Sequence, residues 1–165
     1  MVVIRDYDEA NDAQAVGRLI SDTFTKYNLG FVAADELPLF LGPFCNAGSS
    51  DPVHMTAIAE VIRARVVLVA ADEADVVGVL RGRADRLQSL FVRGDFHGRG
   101  IGRGLVDRFE HWCVQHGARQ IKVAATLYAV PFYARLGYKK TTGVRLGWCF
   151  DGSGLPYQPM KKILD

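Results

Sequence analysis

A chain of 165 residues, 49% hydrophobic and 23% charged, has the size and apolar content of one globular domain over residues 1–165 and can bury a core of its own. Its net charge of +2 is uneven: Arg93–Phe150 holds ten basic and three acidic residues, a net of +7, against −5 elsewhere, which points the second half at an anionic or phosphorylated ligand. No apolar run approaches the roughly 20 residues that cross a bilayer, and the strand-like start at Met1–Tyr7 argues against an export signal, so no membrane association and a cytoplasmic location are expected.

In chain order, Val2–Ile4 predicts a short strand. A helix follows from about Asp8 or Asn11 to Tyr27, with Ala15, Val16, Leu19, Ile20, Phe24 and Tyr27 at helical spacing, closed by Asn28 and Gly30. Ala33–Leu41 is a second helical piece weakened by Pro38 and stopped by Gly42 and Pro43, and Asn46–Pro52 is turn-rich. Pro52 opens a helix over Val53–Arg63, with Met55, Ile58, Ala59 and Ile62 on its apolar face. Val66–Ala71 and Val76–Arg83 flank the acidic turn Asp72–Asp75 as a hairpin, and Leu87–Val92 is a further strand. Ile101–His116 is an amphipathic helix with Ile101, Leu105, Phe109, Trp112 and Cys113 on one stripe and Gly117 as its cap. Ile121–Ala125 predicts a strand, Val130–Leu136 a short helix closed by Gly137, and Val144–Phe150 and Met160–Leu164 the last strands. The sum is an α+β fold with a mixed sheet, without internal repeats or a linker.

Glycine is enriched, at 17 residues, and five of them (Gly94, Gly98, Gly100, Gly102, Gly104) crowd the turn between the Leu87–Val92 strand and the Ile101–His116 helix. A helix N-terminus offers unpaired N–H groups and partial positive charge, and glycines let phosphate oxygens reach the backbone. No Ser, Thr, Asp or Asn stands at the expected N-cap, while Arg99 and Arg103 add donors. A nucleotide-hydrolysing phosphate loop is excluded because no Gly-Lys pair occurs. A dinucleotide fingerprint fails in register, since Arg103 or Leu105 stands where the third glycine belongs. It also lacks its acid, because no Asp or Glu occurs between His111 and Phe150.

The segment Leu90-Phe-Val92 followed by His97-Gly98-Arg99-Gly100-Ile101-Gly102 resembles the pyrophosphate loop of the GNAT superfamily of N-acetyltransferases, whose pattern is Gln/Arg-x-x-Gly-x-Gly/Ala. Downstream, Thr126-Leu-Tyr-Ala129-Val-Pro-Phe132-Tyr133-Ala-Arg-Leu-Gly137-Tyr138 is similar to that family's second motif, Asn-x-x-Ala-x-x-Phe/Leu-Tyr-x-x-x-Gly-Phe/Tyr. Two motifs in this order cover Leu87–Tyr138. His97 departs from the usual Gln or Arg, and Thr126 from the usual Asn.

The resemblance implies a mostly antiparallel central sheet flanked by helices and a reaction in which acetyl-CoA acetylates a primary amine through a tetrahedral intermediate. It implies that the backbone of Leu90, Phe91 and Val92 pairs with the pantetheine arm and that the loop from His97 through Gly98, Arg99, Gly100, Ile101 and Gly102 to Arg103 holds the pyrophosphate. Thr126, Ala129 and Phe132 complete the coenzyme side, with a gap in the sheet between Leu90 and Ala124. Tyr133 stands where the family places the hydroxyl that protonates the leaving sulfur; a phenol, with a reference pKa of about 10, keeps its proton at neutral pH. A non-catalytic acyl-CoA sensor on the same fold is the alternative.

No general base stands out, although Asp85 and Gln88 begin the strand before the loop. No metal is expected: Cys113 and His116 share a helical face without a third ligand, and Cys45, Cys113 and Cys149 form no C-x-x-C pair. The acceptor is expected to be a small-molecule or peptide amine, with Phe24, Tyr27, Phe31, Phe40, Phe44, Tyr128, Trp148 and Tyr157 as candidate wall residues. Nucleic-acid binding is not expected, since basic and aromatic residues do not interleave. A homodimer is compatible with these features.

Overall fold

The computed structural model describes all 165 residues. Its strands are β1 (Val2–Asp6), β2 (Val66–Asp72), β3 (Asp75–Arg83), β4 (Arg86–Val92), β5 (Gln120–Thr126), β6 (Lys139–Lys140), β7 (Arg145–Cys149) and β8 (Gly152–Ile163). The helices are α1 (Glu9–Asn28), α2 (Leu37–Leu41), α3 (Pro52–Ile62), α4 (Ile101–Gln115) and α5 (Val130–Arg135). One sheet runs in the order β1-β2-β3-β4-β5-β8-β6, with β7 also paired to β8. Every pairing is antiparallel except β4 with β5, which α4 joins as a crossover.

Both faces of the central strands are covered, so β3 reads as a continuous apolar run rather than an alternation. Val77 and Leu80 face a core shared with Leu105, Val106 and Phe109 of α4 and Tyr133 of α5. Val76 and Val79 face the opposite core with Val16, Leu19 and Ile20 of α1, Phe40 of α2 and Ile58 of α3. Asp12, nearly buried in α1, accepts from Arg5 Nη1 and Nη2 at 2.7 and 2.9 Å and from the Asp8 N–H at 2.8 Å, which fastens β1 to the first turn of the helix.

Two expectations change. The second helical piece resolves into a 3-10 turn, Ala34–Glu36, and the five-residue α2, with Pro38 in its first turn. The last strand is 12 residues long rather than starting at Met160. Gly154, Pro156 and Pro159 read locally as breakers, yet β8 is held from both sides, by β7 through Gly152–Tyr157 and by β5 through Tyr157–Ile163.

Candidate active site

The β4–β5 pair is joined in parallel only at Arg86–Lys122 and Leu87–Val123. Beyond Val123 the strands part, β4 staying with β3 and β5 with β8. Gln88 causes a bulge at the point of divergence: Arg81 pairs with Ser89 and Gly82 with Leu87, so Gln88 has no opposite residue and β4 bends there. The Arg93 N–H donates to the Val77 carbonyl at 2.8 Å, and alternation from that bond turns the Phe91 backbone toward β3 and the Leu90 and Val92 backbones toward the opening. The Leu90 N–H and C=O and the Val92 N–H thus form a free strand edge. The Val92 carbonyl is 2.7 Å from His97 Nε2.

From Val92 the chain turns through Gly94–Phe96 into α4. Phe96 is buried and anchors the turn. Gly98 and Gly100 take φ of +75° and +80°, where a side chain would be strained although open space surrounds both positions, so backbone conformation rather than crowding demands glycine there. Gly100 caps α4 without any side-chain bond, and none of the N–H groups from Gly98 to Arg103 donates to a protein acceptor. A run of amides at the positive end of a helix, with no capping oxygen, suits an anion with several oxygens.

The opening leads into a cavity of about 630 Å³ that passes between the two helical layers. Phe132 and Tyr133 of α5 line one side, Thr23, Tyr27 and Asn28 of α1 the other. Tyr133 is 4% exposed, and burial drives its phenol pKa well above the ordinary tyrosine value, so the hydroxyl keeps its proton.

A family model described as an acetyltransferase (GNAT) domain matches residues 50–164. The chain belongs to the GNAT acetyltransferases. Among curated proteins no sequence match was found. Solved structures agree on the fold. The GCN5-related N-acetyltransferase from Rhodopseudomonas palustris superposes with a TM-score of 0.76 at 21% identity, over 98% of this chain and 95% of that one. The PaiA N-acetyltransferase from Thermoplasma acidophilum, solved with coenzyme A, gives 0.72 at 15% identity over 99% of both chains. Aminoglycoside 6'-acetyltransferase type Ii gives 0.60 at 21% identity over 98% of this chain and 96% of that one.

Of the residues singled out for this GNAT domain, Leu90, Phe91, Val92, His97, Gly98, Gly100, Ile101, Gly102, Arg103, Thr126, Ala129, Phe132 and Tyr133 all line the one cavity. Arg99 does not: its guanidinium lies 4.6 Å from the centre of the Phe96 ring, outside the wall. His97 is spent on the Val92 carbonyl and on a tilted ring contact with Tyr27, centroids 5.0 Å apart, so its side chain braces the loop. Arg135, Thr23 and Asn28 also line the cavity and were not singled out. The Arg135 signal was present, two residues after Tyr133 in the second motif. The α1 pair carries no motif, and only the packing of α1 across the opening brings it there.

Asp85 is not placed for proton abstraction in this cavity. It occupies the left-handed turn between β3 and β4, φ +71°, at the closed end of the strand pair, where its carbonyl accepts from the Lys122 N–H at 2.8 Å. Gln88 is off the wall as well. The candidate aromatics separate: Tyr27 and Tyr128 meet at the cavity with tilted rings 5.0 Å apart, Phe40 and Phe44 are core, Trp148 is 75% exposed on β7, and Tyr157 faces a different groove. Cys113 is buried in the core and His116 stacks on Trp112 at 4.0 Å; no group of three His, Cys, Asp or Glu is placed to hold a metal ion. No helix is long and apolar enough to cross a membrane.

Proposed function

We propose that this GNAT domain is an N-acetyltransferase that uses acetyl-CoA to acetylate a primary amine of a small molecule or peptide. One observation carries the reading: a cavity through the parted strands joins a free strand edge, a run of unpartnered amides and a buried, protonated phenol. Acetyl-CoA supplies an activated thioester, from which the acetyl group passes to the amine nitrogen and coenzyme A departs as the thiol.

The residues present fit that cosubstrate. The Leu90 and Val92 edge offers the hydrogen bonds that an extended amide chain requires. The amides from Gly98 to Arg103 hold a pyrophosphate, with Arg103 and Arg135 supplying side-chain charge on the same wall. Thr126 offers a hydroxyl on β5, while Ala129 and Phe132 give apolar contact. Tyr133 Oη holds its proton until the sulfur leaves and then donates it.

The test is thiol release from acetyl-CoA over a panel of amines and peptides, alongside calorimetric binding of coenzyme A. Amine-dependent release above hydrolysis supports the proposal. Tight coenzyme binding with no release for any amine or peptide favours the sensor on the same fold, and no coenzyme binding overturns the site.

A further inference from the structure

The pyrophosphate loop accounts for only part of the basic excess. A second groove of about 400 Å³ lies on the β5–β8 side of the sheet and is lined by Arg86, Lys122, Arg145 and Lys161 with no acidic residue. Register makes the arrangement sharper. Arg86 pairs with Lys122, Lys122 with Lys161, and Lys161 with Lys139, so four cations form one rung across β4, β5, β8 and β6. Neighbouring strands are about 4.8 Å apart, and like charges directly opposite one another destabilise a sheet. The fold offers no relief, since no ion pair in the protein involves any of these residues or Arg145. Lys162, one step along β8, is bonded to Glu110 at 2.6 Å on the opposite face, so the chain neutralises the lysine that faces the core and leaves its neighbour bare.

The groove and the coenzyme cavity share strand β5. Ala124 lines the groove and Thr126, two residues further along β5, lines the coenzyme cavity. Lys122 is two residues from Ala124 in the other direction, about 7 Å by strand geometry. Thr141, Thr142 and Tyr157 add hydroxyls to the walls. A symmetric contact with a second copy would set this rung close to its own image and repel it, and the volume is that of a small-molecule pocket.

We propose that this groove holds the anionic end of the acceptor, so that the substrate is an amine carrying a carboxylate or a phosphate. This rests on the N-acetyltransferase reading and narrows it. Polyamines, which carry only positive charge, are repelled by the same rung.

The experiment compares matched acceptors by thiol release from acetyl-CoA: 6-aminohexanoate against hexylamine for the carboxylate, and O-phosphoethanolamine against ethanolamine for the phosphate. The anionic member of at least one pair is expected to show a kcat/KM at least tenfold higher, and that ratio is expected to fall to one or below in the double variant Lys122→Glu/Lys161→Glu. If the charge-reversed protein does not fold, Lys122→Gln/Lys161→Gln serves, with a smaller fall expected. Ratios near one in both wild-type pairs, or ratios unmoved by the variants, overturn the proposal while acetyl transfer stands. If neither these four amines nor any member of the wider panel of amines and peptides is acetylated although acetyl-CoA binds, the transferase reading fails instead. The groove is then judged by titrating inorganic phosphate against the backbone amide signals of Lys122 and Lys161: saturable shifts lost in the variants support an anion site, and their absence overturns it.

Discussion

Tyr133 shows how far one side chain depends on its surroundings. Its ring is held edge-on between Phe132 and Tyr138, with centroids 5.1 and 5.5 Å away, so the hydroxyl has one direction in which to point. Burial raises its pKa, which favours a donor and disfavours a base. Tyr133→Phe is expected to lower kcat tenfold or more while the coenzyme A dissociation constant stays within twofold. Steady-state thiol release and calorimetry check this, and an unchanged kcat removes Tyr133 from proton transfer. Asp12 makes the complementary case for stability. The hydrogen bonds from Arg5 hold its carboxyl below the usual aspartate range, against the opposing effect of burial. A lowered folded-state pKa means that this stabilisation is fully present above the unfolded value, about 3.9, and is lost as pH falls through the lower folded value. Asp12→Asn is therefore expected to destabilise the protein at neutral pH by about 1–3 kcal/mol and to flatten the acid limb of its stability profile. Urea unfolding at pH 7 and pH 3 measures both.

At the scale of elements, β4 carries much of the design. A bulge at Gln88 and a glycine opposite allow the strand to leave β5 without leaving β3. A Cβ at Gly82 would lie 2.6 Å from the Phe109 ring and 2.9 Å from the Arg86 carbonyl, and the carbonyl cannot rotate away as a side chain would. Gly82→Ala is expected to cost about 1–3 kcal/mol and to weaken coenzyme binding as β4 shifts. Thermal unfolding and calorimetry on the same sample check it, with full stability as the contrary result. Much of this scale was legible beforehand. The stripe from Ile101 to Cys113, the Gly117 cap and the Pro52 start are short-range signals, and α4 and α3 follow them within a residue or two. The Gly152–Pro159 part of β8 was not legible, because its two glycines and two prolines argue against a strand until β7 pairs with Gly152–Tyr157 and β5 takes over from Tyr157.

Across the whole molecule, the parted strands, the loop and both helical layers meet at one cavity, so ligand binding there bears on global stability. A ligand that binds only the folded chain adds about 2.7 kcal/mol at a hundred times its dissociation constant. Coenzyme A at that excess is expected to raise the melting temperature by several degrees. Arg103→Glu, on the cavity wall, is expected to abolish most of that rise, whereas Arg99→Glu, stacked on Phe96, is expected to leave most of it. Differential scanning fluorimetry separates the two, and equal losses would put Arg99 on the coenzyme.

What depends on neighbours along the chain is written in the amino-acid order alone: the glycine-dense turn into an uncapped helix, the two motifs that frame Leu87–Tyr138, the apolar stripes and the basic second half. Those features follow from local backbone preference and helical or strand periodicity, which a single segment expresses alone. Which cations stand together follows from the folded sheet. Arg86, Lys122, Lys139 and Lys161 are scattered over 76 positions of sequence and become one rung through strand register alone. The fold also moved Arg99 off the wall, turned the Phe91 backbone toward β3 and brought Thr23 and Asn28 across the opening from α1. The reason is the same in each case: register and packing are long-range contacts, and no residue carries its future partner's address in its own neighbourhood.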